Sequence, residues 1–348
     1  MPFSSLNLEN LNHKKEIIDS VFFYSSIIIV PIGFVLNVIQ IKVYSSKDFE
    51  KLNIGFLMKI FVYFDSLALV WSFVIFQYLP SIDLDLALIS NLSCQSFYFI
   101  SRIIQEIPLF IQAFISFINY LSVNHSNKSI YIYLKNKCNL KLSFTALIVM
   151  ISLLNIPNMF RELKNEKSIS DGNFNFNLNK SCVSKSGLFH TISTSETALL
   201  RSILPLLFIT IINILNIKAL IQSKNYLNMD LKREKRFALV LACMCILYLI
   251  FNLPLSIAQL TEVIYRLKSK YDSEYLINIE FIYDLTRAWA FIYYGMGFFV
   301  NITFNKIFRK NFIQIFLCKP VENTLNYRAT FKQATSNSNE TVELVKKS

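Results

Sequence analysis

The side chains of this sequence that could do chemistry are charged and amide groups inside long apolar runs. They are Asp65, Arg102, Gln105, Glu106, Gln259, Glu262, Glu280, Asp284 and Arg287. A charged group at membrane depth is stable only where it faces water, another polar group or a ligand. We therefore expect these side chains to face the inside of a helix bundle, and all but Asp65 to lie near a cavity that binds a ligand.

Two pairs within this set could either form internal ion pairs or face a ligand. Arg102 and Glu106 are four residues apart, and Asp284 and Arg287 are three apart, so each pair can meet on one face of a helix. Internal ion pairs would make both pairs structural. Free acids would instead suit a cationic ligand.

The sequence holds no pattern typical of catalysis or of cofactor binding. Its only histidines, His13, His125 and His190, lie outside the apolar runs, and no His-Glu-x-x-His pattern is present. With 6 glycines there is no Walker or Gly-x-Gly-x-x-Gly loop for a nucleotide. We therefore predict no enzyme, no cofactor and no metal site.

Composition and apolar runs indicate a membrane protein. The 348 residues are 53% hydrophobic, and the mean hydropathy of +0.42 is too high for an ordinary water-soluble fold. Seven runs exceed the roughly 17 residues that a spanning helix needs. They cover 21–44, 54–79, 94–123, 142–160, 198–221, 237–264 and 279–303. We predict an all-α bundle of seven transmembrane helices over 21–317, with tails at 1–20 and 318–348, the second of them disordered.

The basic residues predict the orientation and the partners. The net charge is +12, and Lys and Arg concentrate after the first, third, fifth and seventh runs, where lipid headgroups would meet them. This pattern favours membrane lipids over nucleic acid. It also predicts an extracellular N-terminus, although the long polar loop 161–197 carries charges of both signs.

The third run leads to a family. Cys94 and Asn119 are 25 residues apart, and the run ends Ile118-Asn119-Tyr120-Leu121-Ser122-Val123. It resembles helix 3 of the rhodopsin-like G-protein-coupled receptors, which begins at a disulfide cysteine and ends at Asp-Arg-Tyr. Further matches in the other runs are Asn37, Asp65, Pro205, Pro254, Phe308 and Arg309. The end of the fourth run, Asn155-Ile-Pro-Asn-Met-Phe160, is similar to invertebrate FMRFamide-type neuropeptide receptors.

The resemblance implies a function and a set of switch residues. It implies a plasma-membrane receptor that binds an extracellular peptide, one ending in arginine and an aromatic amide, and signals through a heterotrimeric G protein. Asp65, partnered by Asn37, would couple the ligand site to the cytoplasmic face. Pro254 would kink its helix into a lever. The implied switch residues are Asn37, Asp65, Asn119, Tyr120, Pro205, Asn213, Glu234, Asn252 and Pro254.

Several positions depart from the family pattern. Asn119 stands in place of the arginine and cannot form an ion pair with Glu234, while Asn252 stands in place of a tryptophan and Asn213 in place of a tyrosine. Two readings follow: a receptor that couples through other contacts, or one that binds a ligand without efficient coupling. A small-molecule ligand is a further alternative.

Two other classes of membrane protein are less favoured. A transporter would favour internal repeats and broken helices, and the sequence shows no such repeat. A light receptor would need a lysine in the seventh run, which has none.

Covalent features follow from the predicted orientation. Cys94 and Cys182 are the two of six cysteines placed outside the cell, so we predict a disulfide between them. Asn91 and Asn179 lie in outer glycosylation sequons. Cys318 follows a short amphipathic helix expected after the seventh run, and is a candidate for palmitoylation.

Overall fold

The computed structural model describes residues 5–50, 53–82, 84–124, 128–167, 178–184, 203–222, 229–267 and 273–317, and in these parts the chain is mostly helical. The helices are α1 (Ser5–Tyr44), α2 (Lys47–Glu50), α3 (Asn53–Phe73), α4 (Leu79–Ser81), α5 (Asn91–Asn124), α6 (Lys128–Lys135), α7 (Lys137–Leu154), α8 (Leu204–Gln222), α9 (Met229–Leu267), α10 (Ser273–Phe291), α11 (Tyr293–Phe304) and α12 (Lys306–Phe316). A π turn, Val74–Tyr78, joins α3 to α4. Short 3-10 turns lie at Leu86–Leu88 and Ile156–Met159.

Five helices in the described part of the chain are long and apolar enough to cross a membrane. Their spans are Ser20–Tyr44, Ile54–Phe73, Asn91–Ser122, Lys137–Leu154 and Phe237–Thr261. Each matches one of the first four runs or the sixth. The fifth run appears as a shorter apolar helix, Leu204–Lys218, and residues 198–202 of that run lie outside the described part. The chain is thus a helical protein of membrane type.

The seventh run is not one continuous helix. The helix breaks at Ile292, whose backbone N–H donates to the oxygen of Trp289, three residues earlier, at 3.2 Å. The N–H of Gly295 in turn donates to the oxygen of Ile292 at 3.2 Å. This tight turn separates α10 from α11, so the prediction of a single helix over 279–303 is wrong in this detail. Apolarity alone carries no signal for such a break, because both halves are apolar.

Three further features differ from the expectation. Helix α1 begins at Ser5, within the predicted tail 1–20. A helix, α6, lies between the third and fourth runs. The loop 161–197 holds two antiparallel strands, β1 (Arg161–Lys167) and β2 (Leu178–Ser184), with Leu163 opposite Cys182. The polar sequence of these strands lacks the alternation of apolar residues that predicts strands from sequence.

Helix α5 lies at the centre of the packing. It contacts α3 on one side and α8 on the other, and also touches α7 and α9. Helix α1 closes the bundle against α3, α10 and α11. A continuous apolar core runs through these contacts, with Ile111 and Ile115 of α5 fully buried at its middle.

The end of the bundle that holds α2 and α12, here called the α2 end, is fixed by caps and aromatic rings. The side-chain oxygen of Asn305 accepts hydrogen bonds from the N–H groups of Ile307 and Phe308 and so starts α12 where the sequence predicts an amphipathic helix. Phe308 is fully buried, while Arg309 and Lys310 are exposed. Helix α12 therefore buries one face and presents a basic one.

Gly55 provides a test of this packing. A methyl group added there would overlap the backbone oxygen of Phe49 and lie 3.0 Å from its carbonyl carbon, and backbone atoms cannot step aside. We expect Gly55→Ala to lower the free energy of unfolding by about 1 to 3 kcal/mol. The measurement is the thermal unfolding temperature of the protein in detergent.

Gly297→Ala is the matched control. Its added methyl group would meet only the flexible ends of Gln40 and Met244, both at 3.4 Å, and alanine favours the helix over glycine. The control should unfold at or near the wild-type temperature. Equal unfolding temperatures for the two variants would contradict the close approach of α3 to Phe49.

Candidate functional site

A polar cavity lies between α3, α5, α9, α10 and α11. About 30 Å³ of its space can hold water-sized molecules, and the rest is narrow or open to solvent. The polar lining consists of Asp65, Ser72, Gln105, Asn252, Ser256 and Arg287. Aromatic rings of Phe61, Tyr248, Phe291, Tyr293 and Tyr294 complete most of the wall. Polar groups from four helices thus converge inside an aromatic frame, which is the usual make-up of a small-ligand site.

Two side chains of this cavity have buried atoms with no hydrogen-bond partner among the residues that the structure describes. They are Oδ1 of Asp65, whose side chain is 4% exposed, and Nδ2 of Asn252. Leaving such groups unpaired is costly, so each favours a partner that enters the cavity. Asp65 can accept a hydrogen bond there, and Asn252 can donate one.

Gln105 and Arg287 link the cavity to its neighbours. Gln105 Nε2 donates to the hydroxyl of Ser72 at 3.1 Å and so joins α5 to α3. The guanidinium carbon of Arg287 lies 5.6 Å from the ring centre of Phe22 on α1. Among the described residues no group of three or more His, Cys, Asp or Glu side chains is arranged to hold a metal ion.

The predicted ligand residues therefore separate into groups. Gln105 and Arg287 line the cavity, whereas Arg102 and Glu106 are not among its described lining residues. Gln259 is buried on α9 and also lies outside that lining. The side chains of Glu262, Glu280 and Asp284 lie outside the described part of the structure.

Glu106 points toward α7. Its side chain is 1% exposed, and Oε2 accepts a hydrogen bond of 2.6 Å from Nδ2 of Asn155. Asn155 also donates to the oxygen of Ile151, and its own oxygen accepts from Asn158. The prediction that Glu106 faces a ligand is not supported by this geometry, because a partner on α7 takes its carboxylate.

A chain of amides joins α1 to α11. Gln40 Nε2 donates to Oδ1 of Asn37 at 2.9 Å, and Asn301 Nδ2 donates to Oε1 of Gln40 at 3.3 Å. The hydroxyl of Tyr44 then donates to Asn301 at 2.7 Å. Nδ2 of Asn37 has no partner, so the expected hydrogen bond from Asn37 to Asp65 is absent. Gln40 lies one turn after Asn37 on α1, and its longer side chain reaches Asn301 on α11. The network therefore runs from Asn37 through Gln40 to α11.

A second set of amides joins α5 to α8. Nδ2 of Asn119 lies 3.4 Å from Oδ1 of Asn216, and Asn216 donates to the backbone oxygen of Ser116 at 3.2 Å. Asn213 donates to the hydroxyl of Ser116 at 3.3 Å. The position of the family's arginine thus belongs to an uncharged contact between helices. The side chain of Glu234 lies outside the described part.

The remaining predicted switch residues lie in the helices. Tyr120 follows Asn119 and is half-buried on α5. Pro205 is the second residue of α8, which begins at Leu204. Pro254 lies inside α9, so it removes one backbone hydrogen bond beside the cavity residues Asn252 and Ser256.

The strand pair covers the start of α5. A disulfide joins Cys94 to Cys182 of β2, with the Cα atoms 5.9 Å apart. Oδ1 of Asn91 accepts a 2.7 Å hydrogen bond from the N–H of Leu163, and Gln95 donates to the oxygen of Arg161 at 2.9 Å. The side chain of Asn179, and Cys318 as a whole, lie outside the described residues.

Arg161 is the most buried cation of this cover. Its guanidinium carbon lies 4.0 Å from the ring centre of Tyr98 on α5, an arrangement that stabilises a cation over an aromatic face. Burial lowers the pKa of Arg161 from its ordinary value, and Tyr98 acts in the opposite direction. The pair packs β1 against α5.

Sequence reasoning missed most of the hydrogen-bond partners. The missed residues are Gln40, Gln112, Ser116, Asn155 as a partner of Glu106, Asn216, Tyr293 and Asn301. Tyr293, for example, donates from its hydroxyl to Oε1 of Gln112 at 2.6 Å, which joins α11 to α5. The amides among these residues could have been found from the sequence, because an amide within an apolar run is the signal that identified Asn37.

Comparison with known proteins leaves the family open. No protein-family model matches the sequence, and no curated protein matches it.

The contact between Glu106 and Asn155 gives a prediction about stability. Asn155→Leu removes one donor from a buried carboxylate, so we expect the free energy of unfolding to fall by about 1 to 3 kcal/mol. Glu106→Gln keeps an acceptor oxygen for Asn155 and should cost less. Thermal unfolding in detergent measures both.

The double variant Glu106→Leu/Asn155→Leu tests whether the two side chains stabilise the protein through their mutual contact or independently of each other. It should be more stable than the sum of the losses in Glu106→Leu and Asn155→Leu, each measured alone, predicts, because no carboxylate is left without its donor. Additive losses would show that the two side chains do not interact.

Proposed function

We propose that this chain is a plasma-membrane receptor of the rhodopsin-like G-protein-coupled class, with seven spans and an extracellular N-terminus. In this proposal α8 forms the fifth span, and α10 with α11 forms the seventh. The receptor binds an extracellular ligand in the cavity around Asp65 and Asn252. It passes the signal to a heterotrimeric G protein at the α2 end.

One observation carries the proposal. Asp65, Gln105, Asn252 and Arg287, which were selected from separate apolar runs, line one cavity. Two of them, Asp65 and Asn252, also match the resemblance by position. The cavity joins Asp65 to Asn252, which lies two residues before Pro254. Such a cavity suits a ligand-operated switch, because a ligand there contacts the helix that contains Pro254 directly.

The proposed ligand is an amidated neuropeptide. A terminal carboxamide is neutral and carries both donors and an acceptor, so it can use the free atoms of Asp65 and Asn252. Among the described lining residues Asp65 is the acid and Arg287 the base. This balance supports a polar ligand group without a net negative charge.

A second candidate is a receptor that binds its ligand without efficient coupling. Asn119 favours it, because this amide lies against Asn216 and carries no charge for a G protein to bind. The two candidates share the ligand site and differ only at the α2 end of the bundle.

Signalling by a panel of amidated neuropeptides tests the proposal in cells that express the chain. We expect at least one peptide to activate a G protein, measured by subunit dissociation. Asp65→Ala should reduce this response by about tenfold or more while surface expression falls less, since the lost group contributes about one buried hydrogen bond.

Asp85→Ala is the matched control. Asp85 is exposed and caps the turn Leu86–Leu88 outside the cavity, so its loss should leave the response close to wild type. Equal falls of signalling and surface expression in Asp65→Ala would assign Asp65 to folding alone. Activation by amines while every peptide fails would reject the peptide ligand.

A further inference from the structure

A group of three lysines lies where α3 and α7 meet, near the α2 end. Lys59 is on α3, Lys137 and Lys141 are on α7, and all three side chains are exposed. Among the residues that the structure describes, no acid forms a salt bridge with any of them. We call this group the α3–α7 lysine patch, and the described chain gives its ammonium groups no counter-ion.

Contacts with neighbouring helices position two of these lysines. The amine of Lys141 lies 5.9 Å from the ring centre of Phe56 on α3, within the range of attraction between a cation and an aromatic face. The amine of Lys137 donates to the backbone oxygen of Glu50 on α2 at 3.1 Å, which leaves its other N–H groups for a further acceptor. Lys137 and Lys141 are four residues apart, so they share one face of α7.

Lys59 completes the patch from within an apolar span. It belongs to the span Ile54–Phe73 and lies about 9 Å along α3 from Asn53. It is three residues after Phe56, so its side chain leaves α3 beside the ring that Lys141 covers. An exposed ammonium group at this depth of a membrane is stable only where it meets water or an anion. The anion that a membrane offers there is the phosphate of a lipid headgroup.

The two acids of α2 do not neutralise the patch. Asp48 accepts a hydrogen bond from Asn311 of α12, so its carboxylate is engaged there. Glu50 is exposed and meets Lys137 through its backbone oxygen, not through its carboxylate. Helix α7 also begins at Lys137, and the N-terminus of a helix carries a partial positive charge. The local charge therefore favours an anion.

Apolar side chains beside the patch distinguish a lipid from a free anion. Tyr63, one turn after Lys59 on α3, is 57% exposed, and Leu142, next to Lys141 on α7, is 62% exposed. A lipid can place its acyl chains along these side chains while its phosphate groups meet the lysines. A free phosphate or a free inositol phosphate gains only the contacts with the lysines.

We propose that the α3–α7 lysine patch binds the headgroup of a polyanionic phospholipid, one that carries phosphomonoester groups on an inositol ring in addition to its phosphodiester. The phosphodiester, which adjoins the acyl chains, meets Lys59 and Lys141 within the spans. The phosphomonoester groups, which lie farther from the acyl chains, meet Lys137 at the first residue of α7. The site requires only that α3 and α7 cross a membrane, so it does not rest on the proposed receptor function.

Binding of short-chain lipids to the purified full-length protein tests the site. The probe is a dioctanoyl phosphatidylinositol bisphosphate, and its dissociation constant is measured by thermophoresis in an uncharged detergent at constant salt concentration. Dioctanoyl phosphatidylcholine reports the contribution of the acyl chains alone. Soluble inositol trisphosphate reports that of the headgroup alone, and we expect each of these two to bind at least about tenfold more weakly than the probe.

We expect Lys59→Gln/Lys141→Gln to weaken binding of the probe about 10- to 30-fold, as the loss of two lysines from an anionic headgroup predicts. Lys59→Arg/Lys141→Arg keeps both charges and should bind the probe within about threefold of wild type. Lys306→Gln/Lys310→Gln is the matched control, because it removes the same charge from exposed side chains of α12. The control should change binding less than about threefold, since salt screens exposed charges that lie apart from the site.

Unchanged binding of the probe in Lys59→Gln/Lys141→Gln would overturn the site. Equal weakening in the control would also overturn it, because it would show attraction to the overall positive charge instead of to the patch. Inositol trisphosphate that binds as tightly as the probe would reject a lipid as the ligand. If Lys59→Gln/Lys141→Gln does not fold, Lys137→Gln decides the result, with an expected weakening of about three- to fivefold.

Discussion

The structure depends on hydrogen bonds between side chains inside an apolar helix bundle. Lipid offers helices little hydrophobic reason to associate, so close packing and polar contacts determine which helices meet. Here Gln40 and Asn301 join α1 to α11, Asn119 and Asn216 join α5 to α8, and Glu106 joins α5 to α7. Most of these groups are amides, which form such bonds without burying a charge.

These contacts distinguish a helix that hydrogen bonds hold to several neighbours from a helix that such bonds hold less. Side chains of α5 form hydrogen bonds to α3, α8 and α11 and to Asn155 at the end of α7. Helix α9 contains Pro254, and Nδ2 of its Asn252 has no hydrogen-bond partner among the described residues. This helix packs against the other helices chiefly through apolar and aromatic side chains.

The sequence predicted the helical membrane class and five of the spans, because apolar length is a local signal. Of the residues expected to face a ligand, Gln105 and Arg287 line the cavity. The sequence did not predict the partners. Asn119 and Asn216 are 97 residues apart, and no local pattern relates them. Glu106 was assigned to the ligand site from its depth within its run, but depth alone does not show that its side chain meets Asn155. The strands escaped prediction because the disulfide and the hydrogen bonds of Asn91 and Gln95 hold them against α5.

The central claim is that α8 and the pair α10–α11 complete a seven-span bundle. Single cysteines at Asn225 and Ser269 test it through reaction with a membrane-impermeant maleimide in intact cells, in a background without Cys138 and Cys318. Seven spans predict that Ser269→Cys reacts from outside and that Asn225→Cys reacts only after permeabilisation. With the five longest helices alone crossing the membrane, the two positions would exchange sides, and that result would contradict the account.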